Sequence, residues 1–211
     1  WGQTTEITAR DGAVENLKQA VSNGVGLRVF KGGRLGFGYT SDLSPQGLKQ
    51  LGDRVLAAAA ATAIDKNNGL PKAEWLRPIT KGIDVYDPAV AALTSAELAK
   101  KAIELEKISL AGDPRIKTVQ EAGAGSYVQR VALVNSSGFS GSYEKTYSWL
   151  YSEVVAEEKG EKQSGYYADQ STHLADLRSA EWVADRAVQR VIRMLGARKI
   201  TTEEMPIVFE P

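Results

Sequence analysis

The chain has 211 residues, of which 43% are hydrophobic, and its 26 Lys and Arg residues are balanced by 26 Asp and Glu residues. This apolar fraction suffices for a packed core, whereas the zero net charge argues against a nucleic-acid partner, which would need a basic surface. The lack of cysteine excludes disulfides, thiolate metal ligands and cysteine nucleophiles. The sequence has no apolar run of the roughly 18 residues that a membrane span needs and a polar N-terminus, so we expect a cytoplasmic protein without a membrane partner.

The first 40 residues predict two β-hairpins. Residues 3–10 alternate and are rich in β-branched types, and Asp11-Gly12 is a turn signal before a partner strand over 13–20. A helix over 13–22 is the competing interpretation, because Val14, Leu17 and Val21 are three and four residues apart. Residues 25–30 and 35–40 predict the second hairpin, in which Gly32-Gly33 supplies the positive φ angles of a tight turn.

A helix follows the second hairpin. Ser44 is a typical N-cap and Pro45 a typical first helical residue. The helix is predicted to end near Ile64, and its apolar stripe consists of Leu48, Leu51, Val55 and Ala59.

Residues 65–93 form a long connection that contains Pro71, Pro78 and Pro88. We expect the connection to be held against the protein by Trp75, Ile83, Val85 and Tyr86.

A second helix begins at Thr94, which forms a capping box with Glu97. Gly112 is the predicted C′ residue that ends this helix. The predicted buried stripe consists of Leu98, Ala102, Leu105 and Ile108.

The remaining sequence predicts a β-meander and one more helix. The candidate strands are 115–121, 127–135, 139–155 and 161–170, with turns at 136–138 and 158–160. We expect the long strand 139–155 to be bent or bulged. The last helix runs from about Ser179 to Leu195, is stopped by Gly196, and buries Ala184, Val188, Val191 and Leu195. Because strands and helices come in blocks, we predict an α+β fold, with antiparallel hairpins and a meander on which three main helices pack.

The residues alone supply no catalytic constellation. Gly24-x-Gly26 lacks the third glycine and the following helix of a dinucleotide site, and Gly32-Gly33 lacks the Gly-Lys-Ser/Thr ending of a phosphate loop. The single histidine, His173, has no second histidine or cysteine beside it for a zinc site and no nucleophile elbow for a triad, so it is interpreted as structural. We therefore predict no catalytic, cofactor-binding or metal-ligating residue in this chain.

Two surfaces allow more than one interpretation. Arg186, Arg190 and Arg193 make the last helix basic, which complements its dipole or offers a partner surface. Aromatic residues are frequent in the meander, and residues 147, 149 and 151 share one strand face. A core or sheet-packing role is the default for these rings, and an aromatic-lined peptide groove with strand addition at a free sheet edge is the alternative. The aromatic set is Tyr143, Tyr147, Trp149, Tyr151, Tyr166 and Tyr167.

Several segments resemble the TldD/PmbA family, named "modulator of DNA gyrase" and classed as peptidase U62. The N-terminal segments are Gly24–Phe30, Gly33–Ser44 and Asp84–Pro88. The later segments are Val155–Glu157, His173–Leu177, Leu195–Lys199 and Pro206–Phe209. These pieces span nearly the whole chain in family order, so the chain resembles the family's N-terminal domain. The segments Tyr39–Ser44 and Val85–Pro88 are more similar to the PmbA (TldE) branch than to the TldD branch.

The resemblance implies a subunit of a cytoplasmic, zinc-dependent peptidase that acts on peptides or unfolded protein segments. Its partner would be a TldD-like subunit or a second copy, forming a dimer. The family's His-Glu-x-x-x-His zinc helix belongs to the C-terminal domain of the TldD branch, so no family ligand maps onto this chain. We expect residues 1–204 to form the N-terminal domain and 205–211 to begin a further domain. The alternatives are a TldD-type chain and a stand-alone peptide-binding or scaffold domain.

Overall fold

The computed structural model describes residues 1–76 and 82–209. The first hairpin consists of β1 (Gly2–Arg10) and β2 (Ala13–Ser22), which pair antiparallel along their whole length. The helical interpretation of residues 13–22 is therefore wrong. All ten residues of β2 are exposed, so the helix-like spacing of its apolar residues marks no buried stripe.

The second hairpin forms a separate two-stranded sheet from β3 (Val25–Lys31) and β4 (Arg34–Thr40). The predicted turn is confirmed, with φ angles of 57° at Gly32 and 74° at Gly33. Helix α1 (Pro45–Ala61) packs on this hairpin, where a Cβ on Gly36 would overlap the backbone of α1.

The predicted N-cap of α1 is confirmed, because the Ser44 hydroxyl accepts the Gly47 N–H at 3.1 Å. Leu51, Val55 and Ala59 are buried as predicted, but Leu48 is 41% exposed and Gly47 is buried instead. The helix ends at Ala61, three residues before the predicted end. Thr62 takes an extended conformation there, and its hydroxyl donates to the carbonyls of Leu35 and Ala59.

The long connection contains a 3₁₀ turn at Ala73–Trp75 and the short helix α2 (Pro88–Ala91). The prediction that Trp75 and Ile83 hold it down is wrong, because these side chains are 66% and 69% exposed. Val85 and Tyr86 are partly buried as expected, and the Val85 carbonyl accepts the Thr146 N–H at 2.9 Å. Pro78 lies outside the described residues.

The main sheet has five antiparallel strands in the order β2-β1-β5-β6-β7, with β5 (Ile116–Val134), β6 (Ser140–Glu158) and β7 (Glu161–Ser171). The prediction of two strands at 115–121 and 127–135 is wrong, because β5 is continuous. Gly123 and Gly125 do not mark a turn; they lie mid-strand under aromatic rings of β6. The irregularities expected in β6 lie in β5, whose register shifts near Thr118 and Gln120.

Helices α3 (Ser95–Ala111) and α4 (Ala180–Ile192) cover one face of this sheet. The capping box of Thr94 and Glu97 is confirmed. The core joins both helices to the inward residues of β1, β5 and β6, and Ile108 and Leu195 are only partly buried beside it. Its fully buried large side chains include Ile7, Leu98, Leu105, Val154, Val183 and Val191.

The ends of these two helices differ from the prediction. Gly112 has a φ of −68° and caps α3 in the right-handed region, so the left-handed C′ assignment is wrong. Helix α4 ends at Ile192, so the predicted end at Leu195 and stop at Gly196 are wrong; turns continue the chain to Gly196, whose φ is 73°. The α+β architecture itself is confirmed. Among residues 1–76 and 82–209, no helix is both long and apolar enough to cross a membrane.

Candidate peptide-binding surface

The face of the main sheet opposite α3 and α4 carries a row of aromatic rings. Side chains alternate between the two faces of a strand, and in β6 the even-numbered residues 146–156 are buried while the odd-numbered ones are partly exposed. The Tyr147 and Trp149 ring centroids are 5.5 Å apart, and Tyr127 on β5 lies 4.9 Å from Tyr147. The shared face predicted for 147, 149 and 151 is confirmed, and the default interpretation holds in its sheet-packing form, because the Trp149 and Tyr151 rings lie against the backbone of β5. We call Tyr127, Tyr147, Trp149, Tyr151 and Tyr166 the aromatic face.

Two glycines of β5 allow these rings to lie flat against the sheet. Gly123 is the cross-strand partner of Tyr151, and Gly125 is the partner of Trp149. A Cβ on either glycine would overlap the opposing ring. The rings therefore cover backbone that no side chain of β5 shields.

Carboxylates surround the aromatic face near Tyr151. The Tyr151 hydroxyl donates to Glu121 Oε1 at 2.7 Å. Burial, followed by this bond and the charges of Glu121 and Glu6, raises the pKa of Tyr151 far above its ordinary value. Burial also raises the pKa of Tyr166, with help from Glu121 and Glu153. Both phenols therefore remain neutral hydrogen-bonding groups at physiological pH.

The two edges of the main sheet differ in their accessibility. At one edge, Arg190 Nη1 donates to the Tyr166 carbonyl of β7 at 3.1 Å, and its guanidinium lies 4.5 Å from the Tyr167 ring centroid. At the other edge, β2 is paired on one side only within the described residues, and its whole length is exposed. An unpaired strand edge offers N–H and C=O groups to an incoming extended chain. Of the two edges, β2 is therefore the one open to strand addition.

A groove of about 920 Å³ lies where β5 and β6 extend beyond the rest of the sheet. Its walls are the Gly24–Gly26 segment, residues 82–86 and the two strand ends. Several apolar side chains are exposed there, namely Val25, Ile83, Leu133, Val134 and Tyr143. The Gly24-x-Gly26 pattern thus belongs to a hairpin strand and a groove wall, and Tyr143 belongs to this groove rather than to the aromatic face.

The segments 84–88 and 173–177 meet in the structure. His173 Nε2 lies 2.9 Å from Asp84 Oδ1, and His173 directly precedes the 3₁₀ turn Leu174–Asp176. Asp87 accepts the backbone N–H groups of Leu174 and Ala89, each at 2.8 Å. These two bonds, with a smaller contribution from His173, lower the pKa of Asp87. The two segments therefore hold the connection against the end of β7.

The charged segment 157–162 has a local ion pair. Residues 157–162 form the tip of the β6–β7 hairpin, where Lys162 Nζ lies 3.6 Å from Glu157 Oε2.

In the described part of the chain, no group of three or more His, Cys, Asp or Glu side chains could hold a metal ion. The zinc implied by the family resemblance therefore finds no fitting ligand set on these residues.

Comparison with known proteins identifies the family. The model for the "PmbA/TldA metallopeptidase central domain" matches residues 88–195, and the model for domain 1 of the same metallopeptidases matches residues 1–61. The chain belongs to the PmbA/TldD family. It is 29% identical over 204 residues to "Metalloprotease PmbA" of Escherichia coli O157:H7 and 26% identical over 203 residues to a homologue in Haemophilus influenzae. In each case, 96% of this chain aligns with 45% of the relative.

Solved structures share the fold. A putative modulator of DNA gyrase from Bacteroides thetaiotaomicron has a TM-score of 0.82 at 23% identity, with 94% of this chain and 45% of that chain covered. TldE from Thermococcus kodakarensis has a TM-score of 0.74 at 18% identity, with 90% and 42% covered. The chain thus spans about half the length of the PmbA/TldD family members it matches. Its division into residues 1–204 and 205–211 stays a prediction.

Proposed function

We propose that this chain is the N-terminal region of a PmbA/TldE-type subunit of a cytoplasmic, zinc-dependent metallopeptidase that acts on peptides or unfolded protein segments. Its role is assembly with a TldD-like subunit or a second copy, and control of substrate access. Hydrolysis is assigned to zinc ligands outside the described residues. The names of the relatives and the matched domains support the metallopeptidase connection.

The observation that carries the role in substrate access is the combination of the aromatic face with the open edge of β2. An extended chain added at β2 gains main-chain hydrogen bonds there. Because β1 separates β2 from β5, a different stretch of the same unfolded segment would contact the aromatic rings, which accept many side chains. An unfolded segment offers both kinds of group. These two features therefore suit a surface that guides many different peptides.

Two alternatives are distinguished by simple observations. A TldD-type chain requires a His-Glu-x-x-x-His helix within a few dozen residues after the matched region of its gene. A stand-alone peptide-binding or scaffold domain would bind unfolded peptides without a partner, and its complexes would show no proteolysis.

The test measures zinc content and peptide cleavage for the 211-residue chain, alone and mixed with a TldD-like subunit from the same genome. We expect no stoichiometric zinc and no cleavage by the chain alone, and a stable complex that cleaves unfolded peptides. Stoichiometric zinc together with cleavage by the chain alone would overturn the proposal. Failure to form any complex would favour the stand-alone alternative.

Substrate access is tested separately by Tyr147→Ser, which removes a ring from the aromatic face. The matched control is Tyr39→Ser, because Tyr39 is a 78% exposed tyrosine on the other sheet. We expect the first variant to weaken binding of an unfolded peptide and the second to leave it unchanged. Binding is read from the part of the tryptophan fluorescence change that a Trp149→Phe protein lacks. Equal binding by both variants would remove the aromatic face from the proposal.

A further inference from the structure

Helix α4 carries an arginine–aromatic ladder on its outer side. Trp182, Arg186 and Arg190 follow one another at intervals of four residues on one side of α4, and Arg178 lies two residues before the helix begins at Ala180. The Arg178 and Arg186 guanidinium carbons lie 5.3 and 5.2 Å from the Trp182 ring centroid. Tyr167 of β7 contacts Trp182 edge-on at 5.2 Å and is covered by Arg190.

The guanidinium N–H groups of Arg178 and Arg186 are available to a ligand. The side chains of Arg178 and Arg186 make no hydrogen bond or ion pair with the residues that the structure describes, although Glu181 and Asp185 are their sequence neighbours. Asp185 is bound by the amide of Gln189, and Asp169 accepts the backbone N–H of Arg178. A guanidinium held over an aromatic ring keeps its planar fork of N–H groups, which matches a carboxylate or phosphate bidentately.

We propose that the ladder of Arg178, Trp182 and Arg186 docks an extended peptide segment that carries two carboxylates in a Glu-x-Glu arrangement. Alternate side chains of an extended chain share one face at a spacing of about 7 Å. The Arg178 and Arg186 guanidinium carbons lie 5.3 and 5.2 Å from the same ring centroid, so they are at most 10.5 Å apart (5.3 plus 5.2). Two Glu side chains on alternate residues can reach groups at that separation. This surface is separate from the aromatic face, and the inference goes beyond the proposed function.

The charges around the ladder favour a peptide over a nucleic acid. Glu181 and Asp185 lie in the same stretch of α4 as Trp182 and Arg186, Asp169 accepts the Arg178 backbone N–H, and the whole chain has no net positive charge. A continuous polyanion would have to pass these carboxylates and would gain few released counterions. Two discrete carboxylates can bind the arginines and avoid the acidic neighbours.

The experiment titrates the 211-residue chain into a fluorescein-labelled 12-residue Glu-x-Glu repeat peptide, with Gln-x-Gln, Lys-x-Lys and single-stranded oligonucleotide probes in parallel. We expect binding of the Glu peptide that weakens with added salt, and binding of the Gln and Lys peptides at least about tenfold weaker. Equal binding of the Gln peptide, or no binding of the Glu peptide, would refute the proposal. Preferred binding of the oligonucleotide would replace it with a nucleic-acid site.

Two double variants identify the site. Arg178→Gln with Arg186→Gln should weaken Glu-peptide binding at least about tenfold, the loss expected for one charge-assisted bidentate contact. Lys100→Gln with Lys107→Gln removes the same charge from exposed positions of α3 and should leave binding nearly unchanged. Equal losses of Glu-peptide affinity in the two double variants would mean that binding depends on overall charge, and would refute the arginine site. Arg178→Lys with Arg186→Lys keeps the charge and should still lose part of the affinity, because Lys lacks the planar fork.

Discussion

The indole ring of Trp149 lies over the backbone of Gly125, its cross-strand partner in the centre of the main sheet. A Cβ at position 125 would overlap that ring, so the ring position and the glycine require each other. The same relationship links Tyr151 to Gly123. These two pairs set how closely the aromatic face can approach the sheet.

Replacing Gly125 with Ala is expected to destabilise the protein by about 1–3 kcal/mol, because the indole must leave its rotamer or the strands must separate. Urea unfolding followed by circular dichroism gives the free energy of unfolding. Tryptophan fluorescence, compared with that of a Trp149→Phe protein, reports the new environment of the Trp149 ring. The control is Gly52→Ala in α1, where an added Cβ meets no atom within 4 Å. Alanine should stabilise that helix by about 0.5–1 kcal/mol. A neutral Gly125→Ala variant with unchanged fluorescence would contradict the argument.

The same glycines explain where the sequence was misleading. Tight-turn signals at Asp11-Gly12 and Gly32-Gly33 predicted real hairpins, because there the residues of the turn itself must adopt positive φ. Gly123 and Gly125 resemble those turn glycines in sequence. Here, however, glycine is required by a long-range contact with the rings of β6. Single-sequence patterns report local geometry, so the continuity of β5 could not be predicted from its own residues.

The candidate surface was predictable only in part. Period-two alternation correctly placed residues 147, 149 and 151 on one face. Which face the helices cover depends on the packing of α3 and α4, and this is not a property of β6 alone. Likewise, the segments 84–88 and 173–177 were recognisable, but the bond between Asp87 and Leu174 spans 87 residues.

A buried hydrogen bond between Ser109 of α3 and Ser152 of β6, 2.8 Å long, links that helix to the sheet. Ser109→Ala should destabilise the protein by about 1–3 kcal/mol, because it leaves the Ser152 hydroxyl buried without its partner. Replacing both serines should cost less than the sum of the two single changes. Exposed Ser136→Ala is the control and should change stability by less than about 0.5 kcal/mol. Additive single effects in urea unfolding would show that the bond contributes nothing.

Asp87 is expected to protect two backbone amides. Asp87→Ala should accelerate hydrogen exchange at Leu174 and Ala89, because the carboxylate that accepts both N–H groups is lost. Asp84→Ala removes the neighbouring carboxylate, which lies 2.9 Å from His173 Nε2, and should leave both amides protected. Exchange measured by NMR under native conditions distinguishes the two variants. Equal acceleration in both would mean that the segment is held by its packing rather than by Asp87.

The pair of Asp113 and Arg115 should give stability that depends on pH. Arg115 binds both carboxylate oxygens at 2.9 Å. These side-chain bonds, with the Arg115 N–H, lower the pKa of Asp113 from 3.8 to about 2. The folded state therefore binds this proton less tightly than the unfolded state. The stabilisation is fully present above about pH 5 and is lost as the pH falls through about 2.

The measurement compares urea unfolding of the wild type and Asp113→Asn between pH 2 and pH 6. The difference in free energy of unfolding should be constant above about pH 5 and should narrow steadily as the pH falls from about 4 to 2. In an Arg115→Gln background, the narrowing should largely disappear, because the group that lowers the Asp113 pKa is gone. If the difference in free energy of unfolding between the wild type and Asp113→Asn stayed constant down to pH 2 while Arg115 is present, Asp113 would not be the group responsible.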